Sequence, residues 1–312
     1  MHSLEAELRE LRDTGALDET AAAAALAIER REIFSVAGEL HAALYGAVAL
    51  VIAGVGILVK NHLDRIGPLT LTLALALIGA ACYTPAIRGK LRGVARSSAA
   101  DYLLFLGALI LSADLGFAET QFHVLGHDWS RHLLILAIVH AFAAYALGSR
   151  LVLSLALASL AGWFGIERGP WNQMPWHFAT PEMGVRAMAC ALVILGWREF
   201  DRRRRITDFV EVFEHFAANL AFWGAVGWCS DDGLRAAGVM ALLPLAAASI
   251  GWALHSRSEA FAVYGVVYTT VGLSMAVEAL TRPNLFSSAV IVLMLVLIAA
   301  AALRYLHDRL KT

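Results

Sequence analysis

Apolar runs of about 16–22 residues recur along this chain, each set off from the next by a short charged loop. A run of that length, wound as a helix, matches the hydrocarbon core of a bilayer. Backbone in hydrocarbon must satisfy its own hydrogen bonds, which leaves helices or closed barrels. These runs are continuous and lack the alternation of barrel strands. Composition agrees: 59% of the 312 residues are hydrophobic and 16% are charged, with a mean hydropathy of +0.64. A soluble domain of this length carries more charge. The expected fold is an all-α polytopic membrane protein with ten transmembrane helices, over 42–59, 69–86, 102–118, 132–148, 151–164, 184–198, 212–229, 236–254, 260–278 and 286–305.

Residues 1–38 precede the first run and read as a short cytoplasmic helical hairpin. Ser3 caps a first helix that carries Leu4, Leu8 and Leu11 on one face, and Gly15 suits the left-handed position after it. Asp18 caps a second helix with Ala21, Ala25 and Ile28 along one side. Two helices this short hold no core alone, so the hairpin must dock on the membrane, on loops or on a partner. No cleavable signal is expected at this polar start. Cys82, Cys190 and Cys229 fall in or at the ends of apolar runs, with no metal or disulfide spacing, and act as small hydrophobes.

Basic residues set the orientation. With the loops assigned alternately to two sides, 18 of the 25 Lys and Arg lie on the side of the N-terminus and 7 on the other. Both termini are therefore expected in the cytoplasm. The domain boundaries follow: the hairpin 1–38, helices one to five over 39–164, an external loop rich in Trp and Pro over 165–183, and helices six to ten over 184–312. Five helices per half would invert one half against the other, as in inverted-repeat transporters, but no residue-level similarity joins the halves. The run Arg202 to Arg205 belongs to the cytoplasmic bias and attracts anionic headgroups. It has no interleaved aromatics, so nucleic acid is not an expected partner.

The densest cluster of ligand-type residues is Phe117 to His140, FAETQFHVLGHDWSRHLLILAIVH, at the outer junction of the third and fourth runs. Gln121, His123 and Asp128 form a polar mouth there. His140 lies eight residues into the fourth run, about 12 Å below its outer edge. Ionisable groups at such depth are costly and mark pathways or interhelical bonds. Asp114, near the outer end of the third run, belongs with them, with Arg131 and His132 in reach. Asn219, in the middle of the seventh run, is the deepest polar group of the second half, as interhelical bond or as substrate contact. No intramembrane charge pair is evident. Glu119, His123 and His127 stand at i, i+4, i+8, a metal-type spacing on one continuous helix, but Gly126 argues for a break. No metal site is therefore assigned, nor any catalytic residue or cofactor.

The stretch TQFHVLGHD is followed by the apolar HLLILAIVHAFAAYAL and by GSRLVLSLALASLAGWFG. Together these resemble bacterial predicted membrane proteins of the domain of unknown function 2157 family. The leading LRELRDTGALDETAAAAALA resembles that family's helical hairpin, and GVGILVKNHLDRIGP its first span and following loop. The likeness covers roughly residues 4–165. His127, inserted between Gly126 and Asp128, and His62 after Asn61 depart from the pattern. The resemblance implies a bacterial inner-membrane location and supplies no activity.

Three functions fit this reading. A transporter or permease for a small molecule or ion fits the span count and the mouth above His140. A non-catalytic scaffold or sensor would act through residues 1–38, by binding a partner protein or by self-association. An intramembrane enzyme with a His-rich outer face lacks a nucleophile–base pair and ranks last. The bilayer is the one partner common to all three.

Overall fold

The structure, a computed structural model, describes residues 12–14, 18–20, 22–23, 25, 37–93, 97–123, 130–165, 181–204, 209–280 and 285–311. Among these, every regular element is a helix: α1 Ala37–Ile66, α2 Pro68–Leu91, α3 Ser98–Phe122, α4 Ser130–Leu147, α5 Arg150–Trp163, α6 Pro181–Arg204, α7 Val210–Ser230, α8 Arg235–Ser256, α9 Glu259–Leu280 and α10 Leu285–Lys311. Each expected run falls on one helix. Seven of the helices (α1 to α4 and α8 to α10) are long and apolar enough to cross a membrane. The expected count of ten is not reached on that measure. Helix α5 has 14 residues, a rise of about 21 Å. Helix α6 carries Arg186, Arg198, Glu199 and Asp201, and α7 carries Glu211, Glu214, His215 and Asn219.

The fold is that of a polytopic helical membrane protein, and its outer surface shows why. Leu50, Leu77, Phe142, Leu192 and Met240 are all exposed to 70% or more. In water such a surface would aggregate; in a bilayer it is the lipid face. Helix α4 shows the inversion most clearly. Its exposed stripe is Ile135, Ile138, Val139 and Phe142, at i, i+3, i+4 and i+7, while its buried stripe holds His132, Leu136, His140 and Ala144. The polar groups are inside and the aliphatic ones outside.

The chain divides into two units, Met1–Arg65 and Ile66–Lys311. In the first unit, α1 continues past the expected loop at Lys60 and reaches Ile66, because nothing before Gly67 (φ 79°) and Pro68 stops a helix. The hairpin expected over 1–38 lies largely outside the described residues. Within them, the Asp18 side chain accepts from the Thr20 amide at 3.3 Å and from its hydroxyl, as an N-cap does.

In the second unit, α2/α3, α4/α5, α6/α7 and α8/α9 pack as hairpins. Helix α7 is central and touches α5, α6, α8 and α9, and α10 packs chiefly on α9. Turns are brief where the sequence allows it. Gly148 (φ 68°) breaks α4, and Ser149 caps α5 by accepting from Val152 N at 3.3 Å. Helices approach most closely at glycines. A Cβ on Gly107 of α3 would sit 2.8 Å from Cys82 of α2, and one on Gly184 of α6 would sit 2.9 Å from the Gly224 carbonyl of α7.

Side-chain bonds between helix ends fix the up-and-down threading. Ser149 donates to Asp101 at 2.7 Å, Lys90 to the Ala146 carbonyl, Arg150 to Glu211 at 3.0 Å, and His307 Nδ1 lies 2.9 Å from Glu259. The ends that these bonds join carry Arg88, Lys90, Arg150, Arg198, Arg202 to Arg204, Arg257, Arg304 and Arg309. One end of the unit is therefore rich in arginine, while the described residues near the opposite end carry Arg131, Arg186 and Arg235.

Candidate functional site

Two of the places where the second unit buries ionisable side chains are a seam between α3 and α4 and a cavity among α6, α7, α8 and α9.

The seam follows from two helical stripes in antiparallel register. Ser112 and Glu119, seven residues apart, share the α4-facing side of α3. His132 and His140, eight apart, share the α3-facing side of α4. His140 is fully buried and its Nε2 lies 2.7 Å from Ser112 Oγ. The Ser112 hydroxyl donates to the Ala108 carbonyl at 2.8 Å. With that proton engaged, Nε2–H is the donor to Ser112 and Nδ1 is left as an acceptor. Nδ1 has no hydrogen-bond partner among the described residues. One layer toward the opposite end, buried Glu119 acts electrostatically on buried His132. Leu136, also buried, separates the two polar layers.

Asp114 is buried as well, on a different side of α3. It continues the line of Gly107 and Leu111, which pack on Cys82, Tyr83 and Gly79 of α2. It therefore turns toward α2, and His132, expected within its reach, lies instead with Glu119. Its Oδ1 has no hydrogen-bond partner among the described residues. A buried oxygen in that state carries a desolvation cost that water or a proton relieves.

The mouth is only partly described. Gln121 is exposed near the end of α3. His123, also exposed, ends that helix in the left-handed region (φ 50°) with its N–H on the Glu119 carbonyl at 2.9 Å. The helix therefore stops before Gly126, and Glu119, His123 and His127 do not share one continuous helix. His127 and Asp128 lie outside the described residues, as does most of the loop 165–183. Among the described residues no three His, Cys, Asp or Glu gather as a metal site would need.

The cavity, of about 350 Å³, lies nearer the arginine-rich end. Its one charged wall is Arg198 of α6 and Glu214 of α7, with side chains only 19% and 12% exposed. Arg198 Nη2 donates to Glu214 Oε1, Trp252 Nε1 of α8 donates to Glu214 Oε2 at 3.3 Å, and the guanidinium stands 5.7 Å from the Trp252 ring centre. This is the charge pair that was not expected. Each partner lies a turn or two inside the end of its own helix and reads in sequence as an ordinary interfacial charge. Ser249 donates to the Phe261 carbonyl at 2.6 Å. The remaining wall is apolar, with Ala218, Ala221, Phe222 and Leu245.

Asn219 lies one turn beyond Glu214. Its Nδ2 donates to the His215 carbonyl and its Oδ1 accepts from Tyr268 of α9, both at 2.7 Å. The structure thus places it in a bond between α7 and α9. A further chain passes from Trp197 Nε1 to the Tyr145 hydroxyl at 3.0 Å and on to fully buried Asp201. Neither Tyr145 nor Asp201 stood out in sequence, because a Tyr and an Asp near helix ends look interfacial.

The seam and the cavity stay apart. Between them lies apolar packing that includes Leu153 and Leu157 of α5, Ile194 of α6 and Phe213 of α7. Comparison with family models, with curated proteins and with solved structures returned no match.

Proposed function

We propose that this is a bacterial inner-membrane permease for a small molecule or ion, with the α3/α4 seam as part of its pathway. The observation that supports this most is the burial of Asp114, Glu119, His132 and His140 in two helices whose outer faces are aliphatic. Ionisable groups in a membrane interior are expensive and are kept for ion and proton pathways or for interhelical bonding. Here Asp114 Oδ1 and His140 Nδ1 have no hydrogen-bond partner among the described residues, which favours water or a moving ion over pure bonding. In this reading all ten helices span the membrane, α5 in a locally thinned region, α6 with an aliphatic stripe at Leu192 and Val193 toward lipid, and α7 packed among its neighbours. Both termini face the cytoplasm, because the arginine-rich end is the inner one. The resemblance of residues 4–165 to the domain of unknown function 2157 family agrees with this location. The mouth of Gln121, His123 and Asp128 then opens outward above His140.

Side-specific labelling tests the pathway. His140→Cys is made in a variant with the three native cysteines replaced and reacted with a membrane-impermeant maleimide from each side. Labelling from either side is expected. Labelling blocked from both, with a permeant reagent as control, removes the pathway and leaves an interhelical bond.

A further inference from the structure

The cavity among α6 to α9 has its own chemistry, which the pathway through the seam does not use. Its charged wall is asymmetric in hydrogen-bonding capacity. Both oxygens of Glu214 already accept, one from Arg198 and one from Trp252. The Trp252 N–H is engaged on Glu214 and the Ser249 proton on the Phe261 carbonyl. Arg198 has five N–H donors, of which one is engaged, and its Nε is a buried donor with no partner among the described residues. The buried polar atom of this wall that lacks a partner among the described residues is a donor, so a complementary head group is an acceptor.

The rest of the cavity selects the body of the ligand. From Glu214 to Phe222 the trough runs eight residues along α7, about 12 Å at helical rise. Ala217, Ala218 and Ala221 form its floor and Leu195, Leu245 and Phe222 its deep end. A volume of about 350 Å³ is at the small end for ligand sites, room for one chain and not two. Arg198 and Trp252 lie toward the arginine-rich ends of their helices, where an interfacial Trp and a guanidinium meet headgroups. We infer that this cavity binds a single-chain amphiphile with an anionic acceptor head, a carboxylate or a phosphate, held by Arg198 with its chain along the alanine floor of α7. Glu214 opposes an anion, and its charge is offset by Arg198, to which it is paired. It also keeps the wall neutral when no ligand is bound, which disfavours binding of a free inorganic anion without a chain.

Native mass spectrometry of the full chain, released from a non-ionic detergent, tests this. The probes are a medium-chain fatty carboxylate, the alkyl phosphate and alkylammonium of the same chain length, inorganic phosphate, and a diacyl phosphatidate. Saturable one-to-one adducts are expected with the carboxylate and the alkyl phosphate. They are not expected with the alkylammonium or with inorganic phosphate. A diacyl adduct as strong as the single-chain ones would overturn the single-chain assignment and point to a bilayer lipid. Ala218→Phe, which fills the floor and leaves both charges in place, is expected to lose the adduct. The double variant Arg198→Gln/Glu214→Gln, which leaves no lone buried charge, is expected to weaken it about tenfold or more, the loss of a charge-assisted bond. Unchanged adducts in both variants, or equal adducts with the alkylammonium, overturn the proposal. Binding here needs no transport, so it stands or falls separately from the labelling of position 140.

Discussion

The α3/α4 seam and the α6–α9 cavity handle buried charge in opposite ways. In the cavity, Arg198, Glu214 and Trp252 close on one another, and each carboxylate oxygen has a donor. In the seam, Ser112 satisfies one nitrogen of His140, while His140 Nδ1 has no hydrogen-bond partner among the described residues, and neither has Asp114 Oδ1 on the α2 side of α3. The cavity pair is neutral, and the buried donor it leaves open, Arg198 Nε, takes an acceptor. A seam with open acceptors needs water or protons to be stable. The difference underlies the two proposals, a ligand wall in one region and a hydrated path in the other.

The largest effect is expected from opening the closed pair. Glu214→Gln leaves Arg198 buried without its counter-charge and is expected to cost about 3 kcal/mol. Thermal unfolding of the purified protein in detergent reads this. Arg198→Met/Glu214→Leu, which removes both charges, is expected to stay within about 1 kcal/mol of the parent. Equal behaviour of the single and double variants would mean that the pair is already solvated, and the contrast with the seam would dissolve.

Next is the frame around the cavity. Gly184→Leu forces apart α6 and α7 where a Cβ on Gly184 would already stand 2.9 Å from the Gly224 carbonyl, and is expected to cost about 2 kcal/mol or more. The same thermal assay checks it, and Gly196→Leu on α6, where a Cβ meets open space, is the control. A smaller effect is expected in the seam. Ser112→Ala strands His140 Nε2 and is expected to cost about 1 kcal/mol. A hydrated seam predicts that small loss, because water replaces the hydroxyl. A loss as large as that of Glu214→Gln would show a dry seam.

The smallest effect belongs to the arginine-rich surface. Hydrogen bonds from Arg202 and then Arg203 hold the Glu199 carboxyl down to about 2, from an ordinary 4.5. A carboxylate with a depressed folded value contributes stability that is full above the unfolded value and lost as pH falls toward the folded one. The contribution of Glu199 should therefore fade between about pH 4.5 and 2. Comparing unfolding of the parent and Glu199→Gln across that window reads it. A difference that persists at the acid end would contradict the assignment.

The helices were legible because apolar length is a local property. Each of the ten runs found its helix, and the Gly148–Ser149 turn falls where the expected fourth and fifth runs meet. Ends were less legible. Charged residues such as Lys60 and Arg202 looked like loop, yet α1 and α6 continue through them, since charge at a membrane surface does not stop a helix and Gly67 with Pro68 does. The site was legible in part. His140 and Asp114 stood out because depth makes an ionisable residue conspicuous. Their partners did not, because Ser112 is ordinary in an apolar helix. Arg198 and Glu214 are 16 positions apart and meet only through the register of α6 on α7. Asp114 was expected to meet the start of α4. A two-residue step from Ser112 turns it through more than half a circle, to the α2 side.

The central claim is that water reaches His140. Radiolytic footprinting of the full chain in a lipid nanodisc measures this, because hydroxyl radicals modify side chains next to ordered or exchanging water. The account predicts oxidation of His140 well above that of Phe142, which faces lipid, and below that of exposed His123. Modification of His123 with His140 as silent as Phe142 would contradict it.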